Sequence, residues 1–222
     1  MREIGISGNY RELEEYFYHR IQNILTKLKR KAVAWEEPFF NSSGGTNGAH
    51  GAWIGSRALP KETTIIEIWT GADYMEEAMQ QGYDAILAYG FYLDRQNPVD
   101  GLSSWYFSDT WAQMYTVEPE PLLPTTYNRR GKSDRGRALG GEVSMWTEMV
   151  DESNIESSIW PRAAAVAERL WSKRQVKDPA LAAPRLSHWR CRLVQRYGIR
   201  AGPIWSDSCS AVEQKFGTSL HL

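Results

Sequence analysis

Segments with two different hydrophobic periods alternate along this chain, and that alternation restricts the fold more than any other feature. Residues 10–30, "YRELEEYFYHRIQNILTKLKR", place Leu13, Phe17, Ile21, Ile24, Leu25 and Leu28 at steps that predict a helix with one apolar face. "KAVAW" (31–35), the β-branched "TTIIEIW" (63–69), "YDAILAY" (83–89) and "ALGGEVSMW" (138–146) read as strands. "DYMEEAMQQG" (73–82) reads as a helix closed by Gly82, and "SSIWPRAAAVAERLW" (157–171) as one with Pro161 in its first turn. A last amphipathic, basic helix spans 179–197 and ends at Gly198. Residues 41–62 and 94–137 are rich in Gly, Ser and Pro and read as loops. Strands separated by helices pair in parallel through crossovers, so the predicted class is α/β.

Charge and length narrow the functions such a fold can serve. With 222 residues there is room for one substantial domain or two small ones. The 26 basic and 27 acidic side chains nearly cancel, which gives no electrostatic case for nucleic acid or an anionic membrane surface. No run approaches 18 apolar residues, so no membrane-spanning helix is expected. The N-terminal "MREIGISGNYRELEEYFYHR" has no apolar core of a secretory leader. Two signals nevertheless point to the secretory pathway. Asn41-Ser42-Ser43 is a glycosylation sequon, and Cys191 and Cys209 stand as a pair near the C-terminus. On the residues alone the cysteines fit a bridge or two buried thiols. A secretory character without a leader leads to the expectation that the native N-terminus lies upstream.

The chain is also rich in aromatics, with 10 Trp, 11 Tyr and 6 Phe, which suits either a large aromatic core or a platform for sugar rings. Their placement favours a site. Trp35, Trp69, Tyr92 and Trp146 fall at or just past the C-terminal ends of the predicted strands, together with Glu36, Glu37, Asp94 and Glu148. In parallel α/β folds that edge is where ligands bind. Aromatic walls with carboxylates suit a neutral polyhydroxylated ligand, because carboxylates accept hydrogen bonds from hydroxyls and indole faces take the apolar face of a sugar ring. "GGTNGAHG" (44–51) lacks the Lys-Ser/Thr of a phosphate loop. The four histidines, His19, His50, His188 and His221, have no zinc-binding spacing, and Ser144 is not in a nucleophile elbow. No metal and no cofactor is expected. Trp105, Trp111, Trp160, Trp171, Trp189 and Trp205 are expected to pack, Glu36 and Glu37 to bond neighbours in a loop, and Arg162 and Glu168 to form helix-surface or inter-helix pairs of little individual worth.

"AVAWEE", "IIEIW", "AYGFYLDR", "GGEVSMWTEMVD" and "WPRAAAVAERLWS" resemble the C-terminal half of family 20 β-N-acetylhexosaminidases of the lysosomal animal type. "RLSHWRCRLVQRYGIRAGPIW", followed by a cysteine, resembles that group's tail. The similarity covers about residues 6–211. It implies part of a (β/α)8 barrel, approximately strands five to eight, over residues 1–211, with a C-terminal tail at 212–222. It implies removal of terminal N-acetylglucosamine or N-acetylgalactosamine from oligosaccharides, glycoproteins or glycolipids. In that family the substrate's own acetamido oxygen attacks the anomeric carbon, an exception to the two-carboxylate scheme. The family's general-acid pair lies in an H-x-G-G-D-E motif, and these 222 residues contain none; "GGE" at 140–142 belongs to another strand.

By the same resemblance, Trp35 and Trp69 match tryptophans that wall the acetamide pocket, and Tyr92 the tyrosine that steadies the acetamido oxygen. Asp94 and Glu148 match acids that bind O4 and O6, and Trp146 the indole beneath the ring. Arg95 stands where the alpha-type subunit has the arginine of an Asn-Arg pair suited to a 6-sulfated sugar, whereas the beta-type has Asp-Leu; Asp94-Arg95 is a hybrid. The resemblance further implies a Cys191–Cys209 disulfide, a lysosomal or secreted location, and a homo- or heterodimer in full-length form. Two functions follow: the family's glycosidase, inactive as this segment alone, or a non-catalytic remnant that binds sugar weakly or regulates a full-length paralogue by dimerising with it. An unrelated α/β binding module is a third class.

Overall fold

A computed structural model of the chain describes residues 5–6, 10–40, 59–94, 110–120, 135–148, 150–205 and 209. Asn41 and Arg95 lie outside these residues, as does Trp105. In chain order the elements are α1 (Tyr10–Lys27), β1 (Ala32–Trp35), α2 (Glu37–Phe40), β2 (Thr64–Ile68), α3 (Ala72–Gln80) and β3 (Asp84–Leu87). There follow α4 (Trp111–Thr116), β4 (Ala138–Gly141), α5 (Ile155–Ile159), α6 (Arg162–Trp171) and α7 (Pro179–Tyr197). They fall into two compact units, one of residues 1–89 and 119–140, the other of 90–118 and 141–222.

The first unit is built on a sheet of order β1-β2-β3-β4, with β1, β2 and β3 parallel. The register aligns Ile66 with Ala85 and Ile68 with Leu87, so these four share one face. All four are fully buried, as are Met75, Ala78 and Met79, which lie on one side of α3. Each such large side chain withdrawn from water is worth about 1.5–3 kcal/mol. The opposite face carries Val33, Trp35, Ile65, Glu67 and Ile86, and there Val33 remains 55% exposed. Phe39 and Phe40 of α2 anchor the end of β1, with edge-on ring contacts to Tyr83 at 4.9 Å and Tyr74 at 5.0 Å. The helix α1 forms as its period predicts, but Phe17 and Ile24 on its apolar stripe, and Leu28 just past its end, are exposed. Its buried residue is instead Gln22, which reaches the Thr64 hydroxyl at 3.4 Å. Amphipathic spacing sets the helix; it does not set which face a neighbour covers.

The second unit packs α4, α6 and α7 around Tyr115, Ala165, Ala182 and Leu186, with Trp111 against them. Its α4 lies inside the expected 94–137 loop. The signal is short but complete: Thr110 accepts from the Gln113 amide at 3.2 Å, and the Gln113 side chain accepts from the Thr110 amide at 2.8 Å. The expected 157–171 helix is two helices, α5 and α6, parted at a cis Trp160–Pro161 bond. α7 has the expected bounds. Asp178 caps its start at 2.8 Å, and Gly198, at φ 70°, ends it in the left-handed region. Of the tryptophans expected to pack, Trp171 at the last turn of α6 is 92% exposed, and Trp189 and Trp205 are exposed as well, less completely.

Cys191 and Cys209 are bridged, with Cα atoms 5.2 Å apart. The cross-link closes a loop of 18 residues and is worth about 3 kcal/mol in the chain-entropy account. A non-reducing peptide map should therefore show the two cysteine peptides linked, and reduction should lower the melting temperature. Two separately alkylated cysteines would remove both the bridge and the secretory assignment. No helix among the described residues is long and apolar enough to cross a membrane.

Candidate functional site

The first group of site residues stands where β1 and β2 end. Trp35 is the last residue of β1, and Trp69 immediately follows β2; both are half-buried. Between Trp35 and α2 sits Glu36, 1% exposed. One of its carboxylate oxygens accepts the Trp69 amide at 2.8 Å and the Thr70 amide at 3.4 Å, and the other accepts the Thr70 hydroxyl. Burial pushes the Glu36 carboxyl up, while the bonds from Thr70 and Trp69 pull it down. Glu37, the first residue of α2, accepts the indole N–H of Trp69 at 2.7 Å. The Glu36 carbonyl also receives the Phe39 and Phe40 amides at 3.0 and 2.8 Å, so α2 holds both acids in place. These two were expected as loop acids that bond neighbours; both form such bonds, but Glu37 does so from α2 and to a residue 32 positions along the chain. Their shared target, Trp69-Thr70, is what the sequence did not disclose.

The second group is built by strand-like contacts beyond the sheet. Tyr92 forms a parallel bridge with Ser144. The Leu93 amide donates to the Ser144 carbonyl at 2.8 Å, and the Ser144 amide to the Phe91 carbonyl at 3.2 Å. This ladder sets Asp94 beside Trp146, whose amide it accepts at 3.3 Å. Tyr92 is buried, Asp94 is partly exposed, Trp146 is 47% exposed and Glu148 is exposed. The expected strand through Trp146 stops at Gly141 instead. Within β4, Gly140 takes φ 130°, and among the described residues up to Glu148 only the Ser144 bridge follows Gly141. Glu148 therefore stands in a turn and not at a strand mouth.

Arg162 supports this second group and was not expected to. Its guanidinium donates to the Ser158 carbonyl at 3.1 Å and also to the Leu93 carbonyl. Arg162 thus ties the start of α6 to the Tyr92–Asp94 segment. Glu168 forms the expected kind of pair between helices, accepting the Arg185 guanidinium of α7 at 3.1 Å, and it also accepts the Tyr115 hydroxyl at 2.9 Å. Arg169, buried in α6, donates to the Val117 carbonyl at 3.1 Å and to Glu118 at 2.9 Å. Among the described residues no group of three or more His, Cys, Asp or Glu is placed to hold a metal ion.

Comparison with known proteins gives the family. The profile of "Glycosyl hydrolase family 20, catalytic domain" matches residues 1–174. The chain belongs to glycosyl hydrolase family 20. This family 20 chain is 29% identical to beta-hexosaminidase subunit A1 of Dictyostelium discoideum, over 94% of its own length and 34% of the relative's. It is 30% identical to the human beta-hexosaminidase subunit beta, over 95% of its length and 33% of the relative's. Among solved structures it is similar to the chitobiase of Flavobacterium johnsoniae, with 29% identity and a TM-score of 0.61 over 86% of this chain and 25% of that one. An exo β-N-acetylglucosaminidase of Vibrio harveyi, solved with N-acetylglucosamine, shares the fold at a TM-score of 0.68, with 24% identity over 93% of this chain and 30% of that one. The family 20 chain spans about a third of the length of the curated relatives it matches. Its parallel α/β architecture is part of the family's (β/α)8 barrel.

Proposed function

We propose that this chain forms the terminal-sugar part of a β-N-acetylhexosaminidase site, one that takes N-acetylglucosamine or N-acetylgalactosamine at a non-reducing end. The observation that carries this reading is Trp69, fixed through backbone and indole by two consecutive carboxylates at the end of a barrel strand. In this reading Trp35 and Trp69 wall the acetamide, Tyr92 steadies its oxygen, Trp146 stacks under the ring, and Asp94 and Glu148 accept its O4 and O6 hydroxyls. Arg95 borders O6. The proton-transferring Asp-Glu pair comes from elsewhere in an active enzyme, since no H-x-G-G-D-E motif occurs in these residues. A dimeric assembly and a lysosomal or secreted location, with Asn41 glycosylated, belong to the same reading. That missing motif also favours a second reading, a non-catalytic chain that binds sugar weakly or regulates a full-length paralogue.

Binding tests both. Titrating the 222-residue chain with N-acetylglucosamine should quench or shift its tryptophan emission more than glucose does, and Trp146→Ala should remove most of that response. Equal responses to the two sugars would sink the acetamide-pocket reading.

Substrate choice follows from Asp94. A carboxylate a few ångströms from a 6-sulfate is repelled by about 4 kcal/mol at an effective dielectric near 20, before screening. Arg95 offsets part of this, although its neighbour Asp94 draws on the same charge. An active enzyme carrying this segment should therefore prefer neutral N-acetylhexosaminides. Asp94→Asn should move the kcat/KM ratio towards the 6-sulfated substrate by about tenfold, or about 1.4 kcal/mol. An unchanged ratio would place Asp94 away from O6.

A further inference from the structure

We infer that Glu37 is a positioning residue for Trp69, setting the rotation of the indole while Glu36 fixes the backbone that carries it. The inference rests on the proposed reading of Trp69 as a wall of the acetamide pocket. It goes further by assigning the pair of acids after β1 a function in recognition.

Trp69 lies one residue beyond β2, where the ladder to β1 and β3 no longer holds it. An indole at such a place keeps its two side-chain rotations unless something removes them. Two groups do so here, and they divide the work. Glu36 points into the protein and takes the Trp69 and Thr70 amides and the Thr70 hydroxyl, which fixes the turn after the strand. Glu37 lies alongside and takes the one polar atom of the indole at 2.7 Å, within the short range of a bond to a charged acceptor. Because an indole has a single N–H, that contact selects one ring orientation out of the several a half-buried tryptophan can adopt. The α2 amides of Phe39 and Phe40 are satisfied by the Glu36 carbonyl. The Glu37 carboxylate is therefore not required to close the helix. A wall that must lie flat against an acetamide methyl gains from a ring set before the sugar arrives, since ordering it on binding would cost affinity.

The test uses the full 222-residue chain, isotope-labelled, with Trp69→Phe identifying the Trp69 indole N–H resonance. Glu37→Leu removes the acceptor at similar length, and Glu37→Gln keeps one. The Leu variant should shift the Trp69 resonance, and the Gln variant should shift it less. N-acetylglucosamine should bind about fivefold more weakly to Glu37→Leu and within about twofold of wild type to Glu37→Gln, the loss expected of one ordinary net hydrogen bond. Glucose, which has no acetamide, should bind wild type and both variants alike. A resonance unmoved in Glu37→Leu overturns the inference, as does a moved resonance with the preference for N-acetylglucosamine over glucose intact. If wild type shows no such preference while the resonance still moves, the reading of Trp69 as an acetamide wall fails and the positioning role falls with it. Thermal melts of both variants distinguish these outcomes from unfolding, and rescue by Gln separates an acceptor's role from mere packing.

Discussion

Purified as 222 residues, this chain should leave a chromogenic N-acetylglucosaminide essentially unhydrolysed. Removing a single general acid costs about 10²–10⁴-fold, and in the family 20 hexosaminidases this chain resembles, that acid works with an adjacent aspartate that orients the acetamide. Neither is present in an H-x-G-G-D-E context here. The acids that are present are already engaged or differently placed. Glu36 is buried and holds the Trp69 and Thr70 amides. Glu37 holds the Trp69 indole, and Asp94 takes the Trp146 amide. Glu148 is exposed in a turn. Turnover should fall at least about a thousandfold below that of an active family member under the same conditions. Activity at a comparable rate would mean that one of these acids performs the proton transfer, and the assignment of all four as binding or positioning groups would be wrong. Co-expression with an active full-length family member provides the second measurement. A changed rate or altered dimer yield would favour the regulatory reading over the fragment of an enzyme.

Replacing Gly136 by alanine should be among the most damaging single substitutions to stability. A Cβ built at Gly136 would lie 1.7 Å from the Tyr83 carbonyl oxygen and 2.9 Å from the Asp84 amide nitrogen. Neither is a side chain that can turn aside, so the backbone itself must move. The contacts that would move with it hold the segment entering β4 to α3 and β3. Leading into β4, the Gly136 amide donates to the Met79 carbonyl of α3 at 2.8 Å, while the Ala85 amide donates to the Arg137 carbonyl at 2.9 Å and Arg137 pairs with Asp84 at 2.7 Å, both at the start of β3. That pair holds the Asp84 carboxyl below the usual carboxylate range, chiefly through the hydrogen bond from Arg137. Because Arg137 is largely exposed, the ion pair itself adds little; the loss lies in the strand contact. A cost of about 3 kcal/mol or more is expected, and a fall in melting temperature of about 6–12 °C for a chain of this size. Gly5→Ala, where nothing lies within 4 Å of the added atom, has no such clash. A Gly136→Ala protein that melts with wild type would show that β4 meets β3 differently.

Much of this protein is legible in its residues alone. Period and β-branching place three of the four strands to within a residue or two, and α7 to the bounds that Pro179 and Gly198 mark, because these signals act within a few residues of chain. The positions of Trp35 and Trp69 follow from strand ends alone. The places where the sequence misleads are those where a distant group decides. β4 stops at Gly141 and a bridge from Ser144 to Tyr92 replaces the rest of the expected strand, so Trp146 lies outside any strand and Glu148 in a turn. Arg162 reads as a helix-surface cation, yet it holds the Leu93 carbonyl 69 residues away. The stripe on α1 predicts burial, and Phe17 and Ile24 are exposed, because periodicity says which residues share a face and not what covers it. Glu36 and Glu37 show the division most clearly. The sequence puts two acids after a strand; only the parallel register of β1 with β2 brings Trp69 within reach, one carboxylate on its backbone and the other on its ring. Local hydrogen-bonding preference and hydrophobic period are written in neighbouring residues, whereas a bond across 32 residues exists only once the sheet has formed.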